Sequence, residues 1–332
     1  MSYKAENTSL INALSPVEEI KEAIDSFEQN YWLSKHSSKE DLVLFHYTNA
    51  VGMKGIINNR SFWSTDAYFL NDNIELKYGI IIILEKLKFY LNKENDESII
   101  FLLNKLIEVT GVQNTYDTYI TCFSEDDNLL NQWEKYAAQG KGYNLGIHFS
   151  SDYDSRTKTS HYLDNLSTNY YPVLRKVFYE IDEQYEIVDN YINTIIDGAK
   201  KALKRKNELY KYWGAPASLY AANILLEIIF SLKSPSYKDE KEWRLVYMID
   251  KSWKQEIRNY KINENMIVPY LNTYLYENLN GNYIFPLHTI NIGPMLPKET
   301  TNKSLENYLA NIYSCSQHPI KISKEIKIGC GT

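Results

Sequence analysis

The chain has 332 residues, with 36 Lys and Arg against 42 Asp and Glu and a net charge of −6. That balance excludes binding of nucleic acid by bulk electrostatics alone, and a polynucleotide target would need a local basic groove. With 44% hydrophobic and 23% charged residues, the composition is globular. Disordered and fibrous classes are excluded, and the length fits roughly two average domains or one elaborated one.

The opening stretch, Met1 to Pro16, lacks a basic region followed by an apolar core. The most apolar run, Ile80 to Leu84, is far too short to cross a bilayer. A cytoplasmic protein with no membrane partner is expected. Cys122, Cys315 and Cys330 have no paired spacing, and the six His are scattered, so neither a disulfide scaffold nor a metal site is expected. The unusual feature is 29 Tyr, enough to line a cleft with rings that also carry a hydroxyl.

In chain order, Ser15 caps a first helix, Pro16 takes its first position and Glu18 completes a capping box. Ile20, Ile24, Phe27 and Tyr31 continue one apolar stripe from Val17. A strand is expected at Leu42–Tyr47, then a helix opened by Thr48 or Asn49 and running through Asn58, then a strand at Phe62–Thr65. Helices near Asn73–Leu91 and Glu97–Thr110 precede strands at Tyr116–Phe123 and Tyr143–Phe149, with a helix around Leu129–Ala137 between them. Residues 150–170 read as loop. A strand at Val173–Glu180 leads to helices at Glu183–Trp213 and, after a break at Gly214-Ala215-Pro216, to about Leu232. Strands at Glu240–Ile249 and Tyr283–Ile292, a helix at Lys303–Tyr313 and a strand at Ile320–Ile328 finish the chain. This implies an α+β fold on a mixed β-sheet. Its parts would be an N-terminal helical extension over residues 1–40 and a single domain over 41–332, with a helical insertion at about 183–232.

The segment Ser236 to Tyr247 is the richest in chemistry. Strand alternation puts Glu240, Glu242, Arg244, Val246 and Met248 on one face, and Lys241, Trp243, Leu245 and Tyr247 on the other. Two carboxylates and a guanidinium would then edge a core covered on both sides. The plain structural alternative is that Arg244 pairs with Glu242 or with an acid of a neighbouring strand. In Leu42 to Thr48, His46 and Thr48 share a face at the C-terminal end of a strand that runs into a helix, so both lie beside free helix amides. The alternative there is a core histidine and a helix cap. Phe62-Trp-Ser-Thr65 adds hydroxyls, including Ser64, and Asn71-Asp72 reads equally as a turn and cap. Trp133 and Tyr136 face together on one helix.

Taken in order, these pieces resemble an uncharacterised bacterial domain-of-unknown-function family. Its motifs correspond to Phe45-His-Tyr-Thr48, Phe69 with Asn71-Asp72 and Glu75, Cys122-Phe-Ser124, Trp133 to Ala137, Gly142 to Phe149, and Glu240 to Arg244. Ile292-Gly293-Pro294 also fits, and Leu70 separates Phe69 from Asn71 where the family has none. That family in turn looks like ADP-ribosyltransferases whose first strand carries H-x-T. The resemblance implies an ADP-ribosyltransferase-like sheet, NAD as substrate with no metal, contacts to NAD from His46 and Thr48, and Glu242 as the catalytic carboxylate with Glu240 as the first acid of E-x-E. Trp63-Ser64-Thr65 would be the family's hydroxyl strand. Tyr47 or Tyr136 would stack on the nicotinamide, and Arg244 would orient Glu242 or meet the pyrophosphate.

The expectation is therefore an NAD-dependent ADP-ribosyltransferase, a toxin or phage-defence effector acting on a nucleic acid or a protein, with a regulator or antitoxin as a further partner. NAD hydrolysis by the same residues, or a catalytically inactive nucleotide- or partner-binding module, are the alternatives. The basic run Lys200, Lys201, Lys204, Arg205 and Lys206 reads as a solvated helix face rather than a polynucleotide groove.

Overall fold

The computed structural model describes residues 18–36, 42–70, 73–111, 116–149, 173–205, 210–250, 258–263, 265–279, 282–315, 320–322 and 326–331. The expected cap at Ser15 and Pro16, the turn at Asn71-Asp72, the loop at 150–170 and Lys206 lie outside them.

The chain opens with α1 (Glu18–Phe27), which continues through a π turn to Trp32 and a last helical turn at Leu33–His36. Next come β1 (Leu42–Thr48), α2 (Ala50–Asn59), β2 (Ser61–Asp66), α3 (Asn73–Lys93), α4 (Glu97–Gly111), β3 (Tyr116–Ser124), α5 (Leu130–Tyr136), β4 (Tyr143–Phe149) and β5 (Val173–Lys176). The helices α6 (Ile181–Arg205) and α7 (Tyr210–Ser231) lead into β6 (Glu242–Asp250). The remainder is β7 (Asn259–Asn263), β8 (Met266–Tyr274), β9 (Glu277–Leu279), β10 (Asn282–Phe285), β11 (Leu287–Ile292), α8 (Lys298–Cys315), β12 (Ile320–Ile322) and β13 (Lys327–Cys330).

These elements form two compact units between which the chain passes repeatedly. The helical unit comprises Met1–Ser37, Asp72–Thr115 and Val177–Tyr237, and the sheet unit comprises Ser38–Asn71, Tyr116–Lys176 and Lys238–Thr332. The stretch expected as an insertion, about 183–232, falls within the helical unit together with α1, α3 and α4.

In the helical unit each amphipathic stripe is buried against the others. Ile24 of α1, Leu103 of α4, Ile192 of α6 and Leu225 of α7 belong to one apolar cluster. Several of its buried polar groups bridge separate helices: Trp32 Nε1 donates to Glu227 Oε2 at 3.1 Å, and Tyr191 OH donates to the Ala221 carbonyl at 2.7 Å. Gln184, fully buried, clips the chain where it enters and leaves the unit by donating to the carbonyls of Phe178 (2.7 Å) and Lys233 (2.8 Å). The expected break at Gly214-Ala215-Pro216 does not occur, because α7 runs straight through it. Pro216 removes one N–H near the helix start, and the burial of Ala217, Ala221, Leu225 and Ile228 behind it outweighs that loss.

The sheet unit is built on one mixed sheet with the path β13-β11-β4-β1-β3-β2-β8-β7, with β6 joined to β3 and β5 to β6. The β11/β13 pair is parallel and the other pairs of this sheet are antiparallel. A smaller sheet orders β12-β10-β9. The mixed α+β class is thus as expected, but strands differ in detail. The single strand expected at Tyr283–Ile292 is split at Pro286, and that at Ile320–Ile328 is split in two. Residues 259–279, for which no element is expected, form β7, β8 and β9. The large apolar cluster under the sheet joins Leu44, Phe62, Phe123, Leu145 and Trp243 to Ile57 of α2 and Leu305 of α8.

Candidate functional site

One strand organises the candidate residues. Along its full length β3 pairs with β6, from Tyr116 opposite Asp250 to Ser124 opposite Glu242. Its other edge changes partner: Tyr119 and Ile120 pair with Asp66 and Thr65 of β2, and Ser124 pairs with Phe45 of β1. Between those pairs the ladder is interrupted over Thr121, Cys122 and Phe123. Side chains take over there. Ser64 Oγ lies 2.7 Å from Thr121 Oγ1 and 2.6 Å from Thr273 Oγ1, a buried chain of hydroxyls across β3, β2 and β8.

His46 serves the same junction. Its Nδ1 is 2.9 Å from the Cys122 carbonyl oxygen, and since a carbonyl only accepts, Nδ1 carries the proton. The ring lies edge-on to Phe62 at 5.2 Å and tilted to Phe123 at 5.7 Å. Burial lowers its pKa from 6.5 to about 4, with a further lowering from the Lys261 ammonium against the opposing Cys122 bond. The imidazole is neutral at physiological pH, and Nε2 is an acceptor that hydrogen-bonds no described residue.

Thr48 ends β1. Asn49 Oδ1, not the Thr48 hydroxyl, caps α2 by accepting from Gly52 N at 2.9 Å. A Cβ on Gly52 would stand 2.1 Å from Thr48 Oγ1, so only glycine leaves room for this threonine over the helix's first turn. A Cβ on Gly142 would stand 2.3 Å from the Thr48 carbonyl oxygen, so the loop after α5 closes directly on the end of β1.

Tyr47 is buried, and its hydroxyl is committed: it donates to the Asp126 carbonyl at 2.9 Å and accepts from Leu129 N at 3.0 Å. Burial pushes its pKa up to about 12. Its ring stands edge-on to Trp133 at 4.9 Å, and Tyr136 packs against this small cluster. Trp133 in turn donates through Nε1 to Asn128 Oδ1 at 3.1 Å.

Glu242 opens β6 and is buried, as is Arg244. The guanidinium grips the carboxylate bidentately, Nε to Oε1 at 2.9 Å and Nη2 to Oε2 at 3.0 Å. Arg244 stands opposite Cys122 on one side and the buried Arg175 on the other. Glu240 does not share this strand. It closes a 3-10 turn over Pro235–Glu240, and Lys241 takes a left-handed conformation (φ 46°), so the expected face with two carboxylates does not form. Lys135 of α5 donates to Glu240 Oε1 at 3.1 Å. Ser124 Oγ donates to the Glu240 carbonyl at 2.9 Å, and Lys241 Nζ donates to Asp126 Oδ2 at 2.9 Å, stapling the 124–129 loop to the start of β6.

Strand register sorts these groups by face. Phe45, Ser124 and Glu242 lie opposite one another across β1, β3 and β6, so Glu242, Arg244 and Cys122 share a face with Phe45 and Tyr47. His46 and Thr48, with Leu44, Ser64 and Phe123, belong to the other face. The structure therefore brings His46, Ser64 and Phe62 together at the β3 junction. It brings Tyr47, Tyr136 and Trp133 together beside Gly142, and Glu242 with Arg244. It does not set His46 and Glu242 side by side on one strand face. The sequence pattern alone does not single out Lys261, Thr121, Thr273 or Lys135. Cys122-Phe-Ser124 stands out as a motif, but the role of the Cys122 carbonyl lies in the backbone, which no residue type announces.

Among the described residues no three His, Cys, Asp or Glu side chains gather to hold a metal ion, and no helix is long and apolar enough to cross a membrane. Residues 132–245 match a family model described as a protein of unknown function, DUF2971. The resemblance to an uncharacterised domain family is thus borne out over that stretch, which holds the Trp133 to Ala137, Gly142 to Phe149 and Glu240 to Arg244 motifs. Phe45 to Thr48 and Cys122 to Ser124 lie before it. No curated protein and no solved structure matches the chain.

Proposed function

We propose that the sheet unit binds NAD and transfers its ADP-ribose to a protein or nucleic-acid acceptor, as in a toxin or defence effector. The observation that carries this reading is His46: a neutral imidazole, fixed by its Nδ1–H bond to the Cys122 carbonyl, offers Nε2 as an acceptor for a ribose hydroxyl. In the reaction the bond between nicotinamide and the ribose C1 breaks and nicotinamide leaves with the electron pair. The acceptor's oxygen or nitrogen forms the new bond to C1 and gives up its proton. Positive charge builds on the sugar in between, and a carboxylate such as Glu242, held by Arg244, stabilises that charge. Water in place of the acceptor gives NAD hydrolysis.

One observation favours a second reading, a nucleotide-binding module without catalysis: the buried Glu242 is already gripped at both oxygens, on the face opposite His46. Incubation of the full chain with NAD, alone and with cell lysate, DNA or RNA, separates the readings. Transfer predicts nicotinamide release that is abolished in Glu242→Gln and labelled acceptor in the lysate. Tight NAD binding by calorimetry with no release under any condition would leave the binding module, and absence of binding would end both.

A further inference from the structure

Lys261 lies on β7, the last strand of the main sheet's path, opposite Val268 of β8. Register puts its side chain on the same face as Tyr270, Thr65, Trp63, Cys122 and Arg244. The ammonium reaches inward along that face and donates to Thr65 Oγ1 at 2.7 Å, while Thr65 is turned toward the Trp63 carbonyl at 3.5 Å. The Tyr270 ring lies 5.9 Å from Nζ, and Trp63 packs on Tyr270 at 5.3 Å. No carboxylate among the described residues pairs with this ammonium. Of its three N–H donors, one is used.

That arrangement is costly for the apo protein. Burial lowers the Lys261 pKa to about 8, against the opposing influence of Cys122, and the same ammonium disfavours charge on His46. A partly desolvated cation held by a hydroxyl and a ring, with donors to spare, is completed by an anion. A compact ammonium without a planar fork suits a phosphate approached as a point charge.

We propose that Lys261, positioned by Thr65, binds a phosphate group of the protein's nucleotide ligand, with Trp63 and Tyr270 as the flanking rings. Lys261 shares its face with Glu242 and Arg244 and not with His46; under the NAD reading, on which the choice of ligand rests, the group is the pyrophosphate, and one dinucleotide meets both Lys261 and His46 only by crossing the interrupted β3 edge. Calorimetry on the full chain with inorganic pyrophosphate and with NAD tests it, comparing wild type, Lys261→Met and Lys261→Arg. The Met variant keeps the apolar stem and should weaken both ligands at least about tenfold, whereas the Arg variant keeps the charge and should lose far less. In wild type, where folding is not in question, pyrophosphate should protect Lys261 from amine acetylation read by mass spectrometry. Pyrophosphate binding that depends on Lys261 in a protein that ignores NAD upholds the anion site and overturns the NAD reading. NAD binding that Lys261→Met leaves unchanged, or acetylation of Lys261 that pyrophosphate does not slow, overturns the anion site and leaves the NAD reading standing.

Discussion

The two units spend their buried polar groups differently. In the helical unit, Trp32, Tyr191 and Gln184 each close a bond between distant segments, and each bond fastens one helix or chain crossing to another. In the sheet unit, polar side chains collect where β3 changes partner: a neutral histidine on a backbone carbonyl, a chain of three hydroxyls, a bidentate ion pair and a half-buried lysine without a carboxylate. The first pattern is what a core needs to exclude alternatives. The second keeps a neutral imidazole nitrogen and two ammonium donors in reserve, which a core does not need. The difference is what favours the sheet unit over the helical unit as the place of the proposed ligand site.

The largest expected effect comes from the Glu242–Arg244 pair. Arg244→Met strips a buried carboxylate of its bidentate partner and should destabilise the chain by about 3–5 kcal/mol, with Glu242→Leu/Arg244→Met recovering much of that loss in urea unfolding. A matched cavity in the helical unit, Leu103→Ala, should cost about 2–5 kcal/mol. Yet it should leave NAD affinity, measured below the transition, unchanged. Equal loss of NAD binding in both variants would erase the distinction between the units.

How much of this could be read beforehand follows the same division. The helices of the helical unit obey one period, so their stripes are legible, and α3, α4 and α6 begin and end near where pattern and caps put them, save for the far end of α6. In the sheet unit β1, β2, β3 and β4 are equally legible from alternation. The failures have specific causes. Glu240 obeys strand alternation on paper but sits before a left-handed Lys241, a backbone state that a lysine does not advertise. The hairpin β7–β8 contains Pro269 and an exposed Ile262, Met266 and Ile267, a pattern unlike a half-buried strand, so nothing in it singles out Lys261. His46, Ser64 and Glu242 were legible as residue types. That they fall on different faces of one sheet depends on pairing between distant strands, which a single chain's pattern does not encode.

The pH dependence of stability sharpens the comparison next. His46 has its pKa lowered in the folded state, so the unfolded chain takes up a proton first as pH falls, and the stabilisation present above 6.5 is lost between 6.5 and about 4. Wild type should therefore lose about 3 kcal/mol over that interval that His46→Gln does not lose. The difference curve isolates the sheet-unit junction from the carboxylates elsewhere. A wild type and variant that lose stability in parallel would mean that His46 is solvated and titrates normally, which would also remove the case for a fixed neutral acceptor.

The smallest effect belongs to Ser64, and it decides what the hydroxyl chain is for. Ser64→Ala removes the central member and leaves Thr121 Oγ1 and Thr273 Oγ1 each without that partner in a buried place, a cost of about 1–3 kcal/mol. Ser64 is fully buried and its oxygen is engaged on both sides, so a purely structural role predicts a lower melting temperature and unaltered NAD affinity. If the variant instead melts like wild type but binds NAD more weakly, the hydroxyls do not merely bridge the interrupted β3 edge. They then act on the ligand through His46 and Phe62, which share their face, and the ligand site extends deeper along the junction than Nε2 of His46 alone.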